Sequence, residues 1–163
     1  MVEPAIALYG AAYEKSMAVL DELLRESGAR YALLLDRKGF VLAHKEALWA
    51  PRPPSLDSLA TLVAGNAAAT QALAKMLGEP RFNELLHQGS THGMYAEEVG
   101  ELALLVVIFD SSVPVGRIKL YGKRAVSALE GLTKDAAISP AKMGIDTEYR
   151  DGASALLDEL FGN

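Results

Sequence analysis

No cysteine occurs among the 163 residues. That removes disulfides, thiol catalysis and every cysteine-ligated metal or iron–sulfur centre, and makes a cytosolic compartment the default. Histidine is scarce: His44, His87 and His92 are the three in the chain, and their spacings match no helical HExxH pair or similar metal set. No metal and no cofactor are therefore expected. The longest strongly apolar run, Leu102 to Phe109, is far short of the roughly 20 residues needed to cross a bilayer. The opening MVEPAIALYG carries an early glutamate and no lysine or arginine, so it does not read as a secretory signal. Positive charge is not in excess: Lys plus Arg is 16 against 21 for Asp plus Glu, a net charge of −5, which argues against a phosphate-neutralising nucleic-acid face. There is no Gly-x-Ser-x-Gly elbow, and no Ser/His/Asp set declares itself by motif. The stretch from Gly116 to Arg124 has five residues between its glycines and Arg124 where a metal-binding hydroxyl is needed, so it is no phosphate loop. No catalytic residue is assigned, and catalysis by this chain alone is not expected.

What is present is a core. Half the residues are hydrophobic and 23% are charged, the balance of one globular domain. From about Ala11 to Ser27, Tyr13, Met17, Leu20, Leu23 and Leu24 recur at helical steps, with Gly28 as the stop. Tyr31 to Leu35 and Phe40 to Ala43 are short apolar runs joined by Asp36-Arg37-Lys38-Gly39, an exposed, charged hairpin turn. After a proline-bearing loop from Glu46 to Ser55, a long helix runs from Ser55 or Asp57 to Leu77. Strands follow at about Leu85–Ser90, Met94–Val99 and Leu102–Phe109, the last apolar on both faces and hence central in its sheet. A third helix begins at Pro114, with Val115, Ile118, Gly122, Ala125, Val126, Leu129 and Leu132 in one stripe. The order is α-β-β-α-β-β-β-α, an α+β domain over residues 1–135. Residues 136–163 read as a linker and a short amphipathic helix, Ala153 to Phe161.

The long second helix is unusual in its charge. Ser58 to Ala74, 17 residues, contain no charged side chain. At 100° per residue, Leu59, Leu62, Val63, Asn66, Thr70, Leu73 and Leu77 fall on one side, assigned to the sheet. Thr61, Ala64, Gly65, Ala68, Ala72 and Lys75 fall on the side that water should own. Ala64, Ala68 and Ala72 form a ridge of small side chains, which lets another backbone come close. Gly65 costs up to about 1 kcal/mol against alanine in a helix interior, a cost that a close approach would offset. A solvent-facing helix normally carries lysine and glutamate here, so the ridge reads as an interaction surface. In the tail, Leu156, Leu157, Leu160 and Phe161 make an apolar face too short to hold a helix alone in water. Docking onto its own domain and capture by a partner both remain open for it.

Several segments together resemble the Roadblock/dynein light chain family. They are Tyr31-Ala-Leu-Leu-Leu-Asp36-Arg-Lys-Gly39, Leu59-Ala-Thr-Leu-Val-Ala-Gly65-Asn66-Ala-Ala-Ala69, Leu104-Leu-Val-Val-Ile-Phe-Asp110, the helix start Val115-Gly116-Arg117, and the acidic tail. The resemblance implies a five-stranded antiparallel sheet with the second helix on one face and the first and third on the other. It also implies a homodimer with a continuous sheet and paired second helices. The implied partner is a small Ras-like GTPase of the MglA type, activated by positioning of its own catalytic residues, in bacterial cell polarity and gliding motility. That places the protein in the cytoplasm, with a cell pole as a site of concentration. Carried onto this chain, the GTPase contact falls on the ridge Ala64, Ala68 and Ala72, and a second contact, affecting nucleotide exchange, on Leu156, Leu157, Leu160 and Phe161. Two other classes stay open: a Roadblock scaffold that binds a GTPase or motor without altering hydrolysis, and a profilin- or PAS-like sensor of a small ligand.

Overall fold

In the computed structural model, residues 6–136 are described. They form α1 (Gly10–Ser27), β1 (Tyr31–Asp36), β2 (Val41–Glu46), α2 (Leu56–Met76), β3 (Glu84–Gln88), β4 (His92–Val99), β5 (Ala103–Asp110) and α3 (Val115–Ala136). The strands pair antiparallel throughout, in the order β2-β1-β5-β4-β3, so the α+β order and the five-stranded antiparallel sheet hold. The apolar run of β5 lies at the centre, as a strand covered on both faces must. The tail helix expected at 153–161 lies outside the described residues, with Leu156, Leu157, Leu160 and Phe161.

Alternation along the strands divides the core into two layers. Ala32 and Leu34 of β1, with Leu105, Val107 and Phe109 of β5, join Leu20, Leu23, Ile118 and Leu129 beneath α1 and α3. Tyr31, Leu33 and Leu35, with Leu104 and Val106, face the other way and meet Ala60, Val63 and Ala67 of α2. The first and third helices therefore share one face and α2 has the other to itself. Arg117 of α3 donates from Nε and Nη2 to the Glu26 carbonyl at 3.0 and 2.7 Å, tying the C-terminal turn of α1 to the start of α3. At Gly93 of β4, a Cβ would come within 2.3 Å of the Phe109 ring; the missing side chain is the space that the ring occupies.

The short edge strand β3 is held to α3 by charge. Glu84 and Glu97 sit directly opposite one another on β3 and β4, a like-charge pair that would destabilise the ladder by itself. Lys119 lies 2.9 Å from Glu84, and Lys123 lies 3.3 Å from Glu84 and 3.4 Å from Glu97. The hydrogen bond from Lys119, then the proximity of Lys123, hold the Glu84 carboxyl below the ordinary value of 4.5. The Tyr95 hydroxyl donates to Glu97 and, at 3.4 Å, to Glu84. Burial first, and those carboxylates second, push its pKa far upward, so the phenol stays neutral.

Phe40, expected to open the second strand, is exposed in the turn, and β2 starts at Val41. The Asp36 side chain is the reason. Its Oδ1 accepts from the backbone N–H of Lys38 and of Phe40, each at 2.9 Å, which curls the chain one residue further than apolarity suggested.

Candidate functional site

The candidate surface is the outward side of α2. Ser55 caps the helix, its hydroxyl accepting from Ser58 N–H at 3.4 Å, and Asp57 and Lys75 are the two charges within its span. Thr61, Gly65, Ala68, Ala72 and Lys75 are exposed, on the side assigned to water. Ala64, placed beside them by the helical wheel, is buried at 7% exposure. It stands on the shoulder of the sheet-facing stripe, with Ala60, Val63, Ala67, Thr70 and Ala74.

The large residues depart from the wheel more sharply. Leu62, Leu73 and Leu77, assigned to the sheet, are 73%, 56% and 72% exposed, and Met76 is 84% exposed. Side-chain volume explains the inversion. Tyr31, Leu33, Leu35, Leu104 and Val106 already fill that face of the sheet, so the helix approaches through alanines, and bulk is turned outward. The outward side thus has two adjoining rows: a small one along Thr61, Gly65, Ala68 and Ala72, and a large one along Leu62, Ala69, Leu73 and Met76. Burying one such leucine contributes about 1.5–3 kcal/mol, so a patch of this kind on a charge-free helix marks the candidate surface.

Neighbouring loops brace the helix. Gly39 has φ +94°, and a Cβ on it would lie 2.9 Å from Thr61 Cα. The β1–β2 turn therefore presses its backbone on α2, and glycine alone suits both the angle and the distance. In the Asp36–Gly39 turn, expected to be exposed, Arg37 and Lys38 are exposed while Asp36 and Gly39 are buried. Further along α2, Gln71 Nε2 donates to the Phe82 carbonyl at 3.0 Å and to Glu98 Oε1 at 2.8 Å. The Glu98 side chain is 9% exposed, with Arg37 Nη2 3.1 Å from Oε1 and Arg81 Nη2 2.6 Å from Oε2. The Arg81 approach is an ion pair without hydrogen-bond alignment, leaving Oε2 without a hydrogen-bond donor. Sequence reasoning missed Gln71, Glu98, Arg37 and Arg81. The signal available was Glu98 itself, a charge at an inward position of β4, on the same face as Ala96. On the other flank, Asn66 Nδ2 lies 3.2 Å from His87 Nε2 on β3.

His44, His87 and His92 lie exposed on three different strands. No cluster of three or more potential metal ligands occurs among the described residues, and no helix among them is long and apolar enough to cross a membrane.

A Roadblock/LC7 domain model matches residues 15–109. The chain belongs to the Roadblock/LC7 family. Its fold is shared with gliding protein MglB from Thermus thermophilus, at 67% identity over 83% of this chain and 100% of that one, with a TM-score of 0.79. A structure described as MglB with tetrameric arrangement is 66% identical over 83% of this chain and 99% of that one, TM-score 0.80. Myxococcus xanthus MglB is 32% identical, covering 76% of this chain and 98% of its own, TM-score 0.70. No curated protein matches. In this Roadblock chain the family model runs from within α1 into β5 and takes in all of α2.

Proposed function

We propose that the chain is an MglB-like regulator of a small Ras-like GTPase of the MglA type, acting as a homodimer in bacterial gliding motility and cell polarity. The observation that carries this reading is the outward side of α2, charge-free for 17 residues between Asp57 and Lys75 and paved with exposed alanine, leucine and methionine. The likeness to MglB at 67% identity supports the choice of partner. In this reading the chain contributes no catalytic group. The surface presses on the loaded GTPase and holds the GTPase's own catalytic residues in place, so the chemistry stays in the partner.

The two rows suit two neighbours. The large row lies on the flank where Asn66 meets His87 of β3, so a second copy paired along the β3 edge would cover it and remove an open strand edge. The small row then remains for the GTPase, through Thr61, Gly65, Ala68, Ala72 and Lys75, with Ala64 buried beneath them. Leu156, Leu157, Leu160 and Phe161 supply a second contact, in a segment (136–163) separate from the 1–135 domain.

Ala68→Arg and Ala72→Arg test this directly. Each position faces outward, so a long cation need not enter the core. It would hold the surfaces apart and bring a desolvated charge into the contact. Titration of the GTP-loaded GTPase in a calorimeter should give no measurable binding to either variant, with circular dichroism unchanged. Wild-type affinity in both would refute α2 as the contact.

A further inference from the structure

The way α2 is attached to its sheet is uneven. Beneath it lie alanines, Val63 and Thr70, whose contacts are non-directional and permit small shifts of the helix. Beside its C-terminal half a small cleft of about 10 Å³ remains, lined in part by Ala67, Thr70, Gln71, Phe82, Leu85 and Ala96. A directional tie stands at the edge of that cleft. Gln71 reaches across to the Phe82 carbonyl and to Glu98, and Glu98 is itself held by an arginine from each side: Arg37 of the β1–β2 turn and Arg81 of the segment entering β3. Arg37 also donates from Nε to the Glu101 carbonyl. A buried ionic group of this kind is a costly way to gain stability, and its best-attested use is to select one register among several.

We infer that Gln71 and Glu98 are positioning residues for the α2 surface: their hydrogen bond sets where the outward rows stand relative to the sheet, and so sets affinity for the GTPase without touching it. This rests on the reading of α2 as the partner surface. Arg37 and Arg81 flank Glu98 and hold its carboxylate against Gln71, so the tie is a charge-assisted bond.

The experiment uses the full chain and a GTP-loaded Ras-like GTPase of the MglA type. Gln71→Ala cuts the tie to α2 and leaves the Arg37–Glu98–Arg81 arrangement whole. Affinity should fall about tenfold, the size of one charge-assisted hydrogen bond. Amide hydrogen exchange should accelerate over residues 66–77 and stay unchanged in β5 and α3. Gln71→Met, of similar length but without the donor, should lose as much affinity as Gln71→Ala, which separates the hydrogen bond from side-chain bulk. Glu98→Gln, which keeps an acceptor for Gln71 but loses its charge, should fall between wild type and Gln71→Ala. Wild-type affinity in Gln71→Ala or in Gln71→Met, or exchange that rises evenly over the whole domain, would each overturn the inference. Ala68→Arg is run alongside. If it binds like wild type, the partner reading is the one that fails, and the exchange pattern of Gln71→Ala still decides whether the tie positions the helix.

Discussion

At the residue scale, three neighbours on α2 differ in their surroundings. Ala64, Gly65 and Ala68 look equivalent in the sequence, yet Ala64 is buried while the other two are open. Gly65 has nothing within 4 Å of where a Cβ would stand, so its own domain gives no reason for glycine in a helix interior. Gly65→Ala should therefore raise stability in urea unfolding by up to about 1 kcal/mol. It should also weaken GTPase binding, because the added methyl enters a contact built on close approach. Absence of the stability gain would mean that a neighbouring backbone already covers this position in the assembled protein.

At the scale of elements, the edge strand β3 depends on charges brought from α3. The folded Glu84 carboxyl sits below its ordinary value of 4.5, chiefly through the Lys119 hydrogen bond. A depressed acid contributes stability that is present above the unfolded value and is lost as pH falls through the folded one. Urea midpoints should accordingly decline as pH is lowered through and below 4.5, and Glu84→Gln should flatten that part of the profile; an unchanged slope in the variant would show that Glu84 is not the group responsible. The elements differ in how legible they were. In α1 and α3, charges mark the water side, so Leu20, Leu23, Ile118 and Leu129 could be assigned to the core from their spacing. The centrality of β5 followed from its unbroken apolar run. α2 has no charges to orient it, and the rule that large apolar residues turn inward failed for Leu62, Leu73 and Leu77, because the opposing face of the sheet was already full. The Asp36–Gly39 turn was legible as a turn, but nothing local says that Gly39 must press on Thr61. The Gln71–Glu98 tie joins residues from distant segments, and periodicity carries no trace of it beyond one inward charge.

At the scale of the whole molecule, β3 is an edge strand among the described residues and the large row on α2 is exposed, the two features on which the proposed pairing rests. Sedimentation at micromolar concentration should give a dimer of the 17.4 kDa chain, and a single monomeric species would contradict the proposed pairing along β3. The other row is the proposed GTPase contact, through which α2 acts on a partner whose own residues do the chemistry. Single-turnover GTP hydrolysis by the Ras-like GTPase tests it most directly, with wild-type chain, with Ala68→Arg and with none added. Acceleration by the wild-type chain that is abolished in Ala68→Arg is the predicted result; a rate that is the same in all three would contradict it.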